Sequence, residues 1–175
     1  MLKSSRLTLK LPSMTDAPNM AEYLNRQDTA GMMGHIPMPY TLADAETFIT
    51  YIMSNPADEM VTGIFNEQDK FIGVISIRQT DRGHSLGYWI GHPFWGKSYM
   101  TEACILFINN FFSTINAEFL LVSHFLINPA SEVIINKLGF KYQQTVTYEI
   151  PLRNTQEKAK RYKLTKQDWN AKNEN

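Results

Sequence analysis

The stretch from Leu86 to Cys104 constrains the fold of this chain more than any other. It begins with apolar and aromatic residues typical of a strand, breaks at Gly91-His92-Pro93 and turns at Gly96-Lys97-Ser98 before a helix opens near Thr101. Apolar residues then recur on one helical face, at Cys104, Phe107, Ile108 and Phe111. The free N–H groups and the dipole of such a helix N-terminus form a phosphate site. On spacing alone, an ordinary structural turn fits as well.

A second strand–helix unit follows directly. The segment Phe119–Ile127 reads FLLVSHFLI, a nearly continuous apolar run typical of a strand covered on both faces. A strand, a helix and a further buried strand predict a parallel pair with a right-handed crossover. Asn128 is a well-matched N-cap for the next helix, and Gly139 suits the left-handed residue that closes it.

The remaining segments predict helices and mainly antiparallel strands. Leu7, Leu9 and Leu11 alternate with polar residues, as in a half-buried strand. Two helices follow, one opening at Thr15-Asp16 and one running from Thr41 to Asn55-Pro56. Further strands are predicted in Met60–Phe65, Phe71–Ile77, Ser85–Ile90, Val146–Ile150 and Tyr162–Leu164, before a polar tail. Short turns make the first three of these strands antiparallel neighbours. The expected fold is α/β of the mixed α+β type.

The segment Gly31–Tyr40, GMMGHIPMPY, is irregular but apolar. Its two glycines and two prolines forbid a continuous helix or central strand. A loop of this kind either forms a wall of a substrate site or covers the core.

Composition excludes several function classes. The 175 residues and 43% hydrophobic content suit one domain, residues 1–175. The formal net charge is +0, whereas nucleic-acid and membrane binders usually carry a basic excess, so we expect neither partner. The basic cluster Lys158–Lys163 is typical of the solvated side of an edge strand, with contact to an acceptor or to RNA as the alternative. No apolar run approaches the roughly 20 residues that span a bilayer, and a cytoplasmic protein is expected.

Cysteine and histidine usage argues against disulfide and metal chemistry. The single cysteine, Cys104, rules out an internal disulfide, and its helical face predicts a packed core thiol rather than a nucleophile. The four histidines and the carboxylates show no ligand spacing, so no metal is expected.

The order of these elements resembles the GNAT superfamily of acyl-CoA N-acyltransferases over nearly the whole chain. The branch that acetylates the N-termini of ribosomal proteins (alanine or serine) is the most similar. The matching stretches are SRLTL at 5–9, GYWIG at 87–91, WGK at 95–97, TEA at 101–103, NPAS at 128–131, KLGF at 137–140 and YKLT at 162–165. The resemblance implies a splayed, mainly antiparallel sheet of about seven strands with about four flanking helices.

The resemblance also implies the site residues. The acetyl-CoA site would comprise Trp89, Ile90, Gly91, Trp95, Gly96, Lys97, Ser98, Tyr99, Met100, Thr101, Asn128 and Ser131. Trp89 and Ile90 would pair with the pantetheine arm like an added strand, and the 96–101 loop would wrap the pyrophosphate. The chain departs from the family pattern at Ser98 and Met100, where glycine or alanine is usual. Met100 either crowds the acetyl-CoA or turns into the helix packing.

The implied reaction is direct attack of a primary amine on the acetyl carbonyl. A base or a water chain must take the proton of the amine, and His92 is the first candidate, ahead of His35, His124 and Glu102. An N–H at Ile90 or Gly91 would stabilise the oxyanion. Ser131 would hydrogen-bond the departing sulfur. A tyrosine acid is absent from its usual helical place, which Ile134 and Ile135 occupy.

Two alternatives to an active N-acetyltransferase stay open, because a fold does not demonstrate chemistry. One is a non-catalytic module that senses CoA or binds a protein, which Ser98 and Met100 favour. The other is a structural domain without acetyl-CoA. For an enzyme, the acceptor is either a protein N-terminus or a small amine. An exposed last strand, or the Phe111-Phe112 end of the long helix, could pair the subunits of a homodimer, but both could equally belong to the core.

Overall fold

A computed structural model of the protein describes residues 1–54 and 59–173. The strands are β1 (Leu2–Lys3), β2 (Thr8–Lys10), β3 (Glu59–Phe65), β4 (Phe71–Thr80), β5 (Gly83–Ile90), β6 (Phe119–Phe125), β7 (Lys141–Ile150) and β8 (Thr155–Thr165). The helices are α1 (Ala17–Leu24), α2 (Gln27–Ala30), α3 (Leu42–Ser54), α4 (Tyr99–Thr114), α5 (Pro129–Leu138) and α6 (Lys166–Asn173). The predicted helix end at Asn55-Pro56 lies outside the described residues.

The strands form one mixed sheet in the order β1-β2-β3-β4-β5-β6-β8-β7. Among the described strands, only β5 and β6 run parallel, and α4 connects them. The inward face of α4 is fully buried, with Phe107, Ile108 and Phe111 each at most 1% exposed. The predicted fold class is therefore confirmed. The additions are the two-residue β1, the single turn α2 and the C-terminal α6.

Strands β5 and β6 separate soon after they meet. Their register pairs Ser85 with Leu121 and Leu86 with Val122, and no pair follows between the described residues of the two strands. On the other side of β5, the Gly91 N–H donates to the Ile72 carbonyl at 2.8 Å. Because backbone groups alternate in direction along a strand, Tyr88 and Ile90 direct theirs into the gap. The predicted splay is therefore present.

The C-terminal third differs from the sequence-based expectation in two respects. Strand β8 pairs with both β6 and β7, so the basic cluster Lys158–Lys163 does not lie on an edge strand. The expected polar tail is helix α6, which Trp169 anchors: its side chain is 3% exposed and its Nε1 donates to Asn109 Oδ1 at 2.8 Å. Both errors concern tertiary contacts that strand periodicity does not reveal.

Local signals in the sequence are confirmed where they were specific. The Asp44 N–H donates to Thr41 Oγ1 at 3.2 Å, and the Thr41 N–H donates to Asp44 Oδ2 at 2.7 Å. Gly139 ends α5 with φ 91°, the left-handed conformation that glycine adopts without strain. Cys104 is completely buried, and burial raises the pKa of its thiol, so it is a packed core thiol as predicted.

Candidate active site

Two cavities meet where β5 leaves β6. The first, here the loop cavity, has a volume of about 490 Å³ and lies between the 94–101 segment and α5. The second, here the sheet cavity, has a volume of about 460 Å³ and lies over β6 and β7. The residues common to both walls are Met32, Met33, Tyr88, Asn128 and Ser131. A molecule extending from one cavity into the other must pass these five side chains.

The N-terminus of α4 presents unpaired backbone donors to the loop cavity. Gly96 and Ser98 have positive φ angles of 73° and 61°. The first hydrogen bond of the helix runs from the Glu102 N–H to the Ser98 carbonyl at 3.1 Å, and the Ser98 hydroxyl does not cap the helix. The N–H groups of residues 99–101 therefore have no intrahelical acceptor. Together with the helix dipole, they suit a phosphate group.

Most of the predicted acetyl-CoA-site residues lie in the wall of the loop cavity. They are Trp89, Ile90, Trp95, Gly96, Ser98, Tyr99, Met100, Thr101, Asn128 and Ser131. Gly91 and Lys97 do not line it: the Gly91 N–H is bound to β4, and the Lys97 ammonium lies 5.7 Å from the ring centre of Phe94. Met100 is 5% exposed and packs in the core, so it does not obstruct the cavity.

An ion pair fixes the loop from behind. Arg6 Nε donates to Glu102 Oε2 at 2.8 Å, and Arg6 Nη1 donates to the Lys97 carbonyl at 3.2 Å. The Ser4 hydroxyl donates to the other Glu102 oxygen at 2.7 Å. Burial opposes ionisation of Glu102, but these hydrogen bonds prevail and lower its pKa. Glu102 is thus an anchor between the N-terminal strands and the loop, and it does not line either cavity.

The centre of the junction is a pair of hydroxyl groups. Tyr88 Oη lies 2.8 Å from Ser131 Oγ, and the Ser131 N–H donates to Asn128 Oδ1 at 3.1 Å. Ser131 is 8% exposed. Burial raises the pKa of Tyr88, so its hydroxyl stays protonated and can donate. The sequence reasoning assigned a role to Ser131 and missed Tyr88, because the two residues are 43 positions apart. The usable signal was that Tyr88 and Ile90 are two residues apart in a strand, so their side chains lie on the same face of β5.

The histidines are distributed unevenly around the junction. His35 and His124 line the sheet cavity, whereas His92 is exposed, lies against Trp95 with ring centres 4.8 Å apart, and lines neither cavity. Both ring nitrogens of His124 contact protein atoms, Phe125 O at 2.9 Å and Tyr162 Oη at 3.4 Å. His35 is exposed at the mouth of the cavity; the surrounding protein and the charge of Arg78 nonetheless lower its pKa. A neutral imidazole at neutral pH is suited to accept a proton.

Lys137 is a second residue that the sequence reasoning missed. Ala130, Val133, Ile134 and Lys137 all line the loop cavity, at the spacing of one helical face. The spacing of three apolar residues and a lysine on one helical face was readable in the sequence. The structure leaves this face exposed, with Val133 66% exposed, which suits a ligand with an apolar arm and an anionic end.

Arg153 holds the wall that the two cavities share. Its guanidinium donates to the carbonyls of Ala30 and Gly31, at 2.8 and 2.9 Å, and to the carbonyl of Met33. These acceptors include the C-terminal end of α2, where a cation is favoured. Other parts of the 31–40 segment join the core, since Tyr40 is 6% exposed. The segment therefore both lines the cavities and covers the core.

Replacing Ser98 with glycine should stabilise the protein. A residue with a Cβ in the left-handed region costs on the order of 1 kcal/mol, and glycine does not carry that cost. We expect the midpoint of thermal unfolding to rise by about 2–4 °C. The matched control is Ser98→Ala, which removes the hydroxyl but keeps the Cβ. If the glycine variant were no more stable than the alanine variant, backbone strain at position 98 would be refuted.

Within the described part of the chain, no group of histidine, cysteine or carboxylate side chains could hold a metal ion. No described helix is long and apolar enough to cross a membrane.

Comparison with known proteins gives the family and the fold of the chain. Residues 6–141 match the family described as acetyltransferase (GNAT) domain. Comparison with curated proteins found no match. Many solved structures share the fold, and three of them are described next. An acetyltransferase of the GNAT family from Bacillus anthracis has a TM-score of 0.82 at 16% identity, over 95% of this chain and 98% of that one. For a spermidine N-acetyltransferase from Vibrio cholerae in complex with CoA and spermine, the values are 0.79 and 15%, over 95% and 99%. For RimL, a ribosomal L7/L12 α-N-protein acetyltransferase in complex with coenzyme A, they are 0.78 and 14%, over 95% and 97%.

Proposed function

The chain belongs to the GNAT acetyltransferase family, and on this premise we propose that it transfers an acetyl group from acetyl-CoA to a primary amine. The observation that carries the proposal is the junction of the two cavities at Tyr88 and Ser131. The loop cavity has free N–H donors, Lys137 and an apolar wall, which suit a phosphate-bearing molecule with an apolar arm. The sheet cavity offers a separate entrance for the amine. Two of the solved structures with the same fold are complexes with coenzyme A.

In the proposed reaction, Ile90 of the loop cavity and His35 of the sheet cavity act on the acetyl group and the amine. The amine nitrogen forms a bond to the acetyl carbon, and the bond from that carbon to sulfur breaks. The Ile90 N–H faces the gap between β5 and β6 and stabilises the oxyanion of the tetrahedral intermediate; Gly91 cannot, because its N–H is bound to Ile72 O. His35 takes the proton that the amine loses.

The hydroxyl pair serves the leaving group. When Tyr88 donates its proton in a hydrogen bond to Ser131 Oγ, the Ser131 hydroxyl hydrogen is free to point at the departing sulfur. The thiolate is stabilised by this hydrogen bond and later takes a proton from solvent. Tyr88 thus orients Ser131, and Ser131 contacts the reacting atoms.

The first test is thermal unfolding with and without acetyl-CoA. At about 100 times its dissociation constant, a ligand of the folded state adds roughly 2.7 kcal/mol, a shift on the order of 5–10 °C for this chain length. Release of free thiol with an amine then separates an enzyme from a CoA sensor, which would bind without turnover.

A matched pair of variants tests whether acetyl-CoA binds in the loop cavity. Val133→Glu puts a carboxylate in the wall of the loop cavity and should reduce the shift, whereas Ile105→Glu changes another exposed apolar residue of a helix outside both cavities and should not. An unchanged melting temperature at millimolar acetyl-CoA would contradict the proposal.

A further inference from the structure

A third cavity extends the sheet cavity away from the junction. It has a volume of about 300 Å³ and shares Leu86, Val122, Ser123 and Tyr148 with the sheet cavity. Arg82 and Arg161 line it, and none of its described lining residues is acidic. We call it the arginine cavity. Because the walls are continuous, one elongated molecule can occupy both spaces.

The two arginines are available to a ligand. Arg161 Nε donates to Tyr148 Oη at 3.0 Å, and the guanidinium lies 5.2 Å from the centre of that ring. Its terminal nitrogens donate to no acceptor among the described residues, and neither arginine is paired with a carboxylate there. Arg82 is exposed at the rim. A guanidinium held by one nitrogen, with its fork uncommitted, is a preorganised site for a carboxylate or phosphate.

The titration of Tyr148 indicates a positive potential in this cavity. Burial alone would raise the pKa of its hydroxyl. The hydrogen bond from Arg161, the nearby Ser123 hydroxyl and the charges of Arg161 and Arg82 act in the opposite direction and prevail, so the pKa of Tyr148 is lowered. Glu149 also lines the sheet cavity, but it is exposed and its carboxylate accepts from Gln156 Nε2 at 2.6 Å. The two arginines therefore lie at the end of the groove that is away from the junction.

The strand register sets the distance between the Tyr88–Ser131 junction and Arg161. Tyr88 lies one residue beyond the level of Ser123, and Ser123 pairs with Arg161 on the next strand. Paired strands about 4.8 Å apart with a rise of about 3.3 Å per residue would place the Tyr88 and Arg161 Cα atoms roughly 10 Å apart, and the separation of β5 from β6 beyond Leu86 makes the distance longer. An extended peptide covers that distance in about three residues. A free α-amino acid is too short to reach both ends, and a polyamine has no anionic group.

We infer that the acceptor is a protein N-terminus with an acidic side chain at its second or third position, whose carboxylate binds Arg82 and Arg161 while its amine lies at the Tyr88–Ser131 junction. This inference deepens the proposed function and rests on it for the identity of the reacting amine. The two uncommitted arginines and the length of the groove carry it.

The test is a matched set of hexapeptide amides that begin with alanine and carry Asp, Asn or Lys at positions 2 and 3. With acetyl-CoA as donor, we expect kcat/KM for the Asp peptide to exceed that for the Asn peptide by about tenfold, as for one hydrogen-bonded charge pair. Arg82→Gln and Arg161→Gln should each remove most of that preference. Lys158→Gln, a change of charge on the opposite face of β8, should leave it intact. Arg82→Glu should favour the Lys peptide.

Two outcomes separate this inference from the proposed function. If the Asn and Lys peptides are acetylated as fast as the Asp peptide, the acetyltransferase stands and the inference falls. If no peptide is acetylated, the binding of fluorescent peptides to protein saturated with CoA decides. Tighter binding of the Asp peptide, lost in Arg82→Gln, supports the inference without turnover; equal binding of all three peptides overturns it. We expect Arg82→Gln to fold normally, because the Arg82 side chain makes no hydrogen bond to the described residues.

Discussion

Ser131→Ala should lower kcat by about 100-fold while leaving the dissociation constant for acetyl-CoA within about twofold, because the hydroxyl stabilises charge that develops only as the sulfur departs. Tyr88→Phe should have a similar effect on kcat, since the phenol hydroxyl orients Ser131 Oγ from 2.8 Å. The double variant should be no slower than about the slower of the two single variants, because residues that act as one unit have non-additive effects. Steady-state thiol release measures all three.

Matched controls isolate the chemistry from general loss of hydroxyl groups. Ser113→Ala removes a hydroxyl that donates to the Asn110 carbonyl on exposed α4 surface, and Tyr142→Phe removes one from exposed β7 surface. Both should retain activity within about twofold, as is usual for surface changes. A rise in KM with kcat unchanged in Ser131→Ala would assign the hydroxyl to binding alone. Strictly additive losses in the double variant would refute the orienting role of Tyr88.

His35→Gln should also lower kcat/KM by about 100-fold and should change its pH dependence. The neutral imidazole accepts the proton, so activity is present above the pKa of His35 and is lost as the pH falls through it. The surrounding protein and the charge of Arg78 lower the pKa of His35, which places the acidic limb below the usual value of 6.5 for histidine. The variant should lack this limb. Rates measured from pH 5 to 9 with the same acceptor show it.

His92→Gln is the matched control and tests the sequence-based candidate for the base. His92 is exposed and lines neither cavity, so this variant should keep both its rate and its acidic limb. If His92→Gln lost the limb and His35→Gln kept it, the assignment would reverse, and the loop around Trp95 would have to move during catalysis.

Sequence reasoning predicted most of the elements and the loop before α4 because their signals are contained within a few residues. The reciprocal bonds of Thr41 and Asp44, the cap at Asn128 and the left-handed Gly139 are local features of backbone geometry. The strand, loop and helix N-terminus between Leu86 and Thr101 are likewise continuous in the chain. Such features can be read without knowing which strands are neighbours.

The mixed α/β fold, the buried thiol of Cys104 and the place of the loop cavity follow from the sequence alone. Contacts between distant parts of the chain depend on the tertiary structure: Tyr88 lies against Ser131, Arg153 binds the carbonyl of Ala30, 123 positions away, and Arg82 and Arg161 line one cavity. The tertiary structure also placed β8 inside the sheet rather than at its edge. The physical reason is that strand order and register join residues distant in sequence, whereas periodicity reports only which face of its own strand a residue occupies.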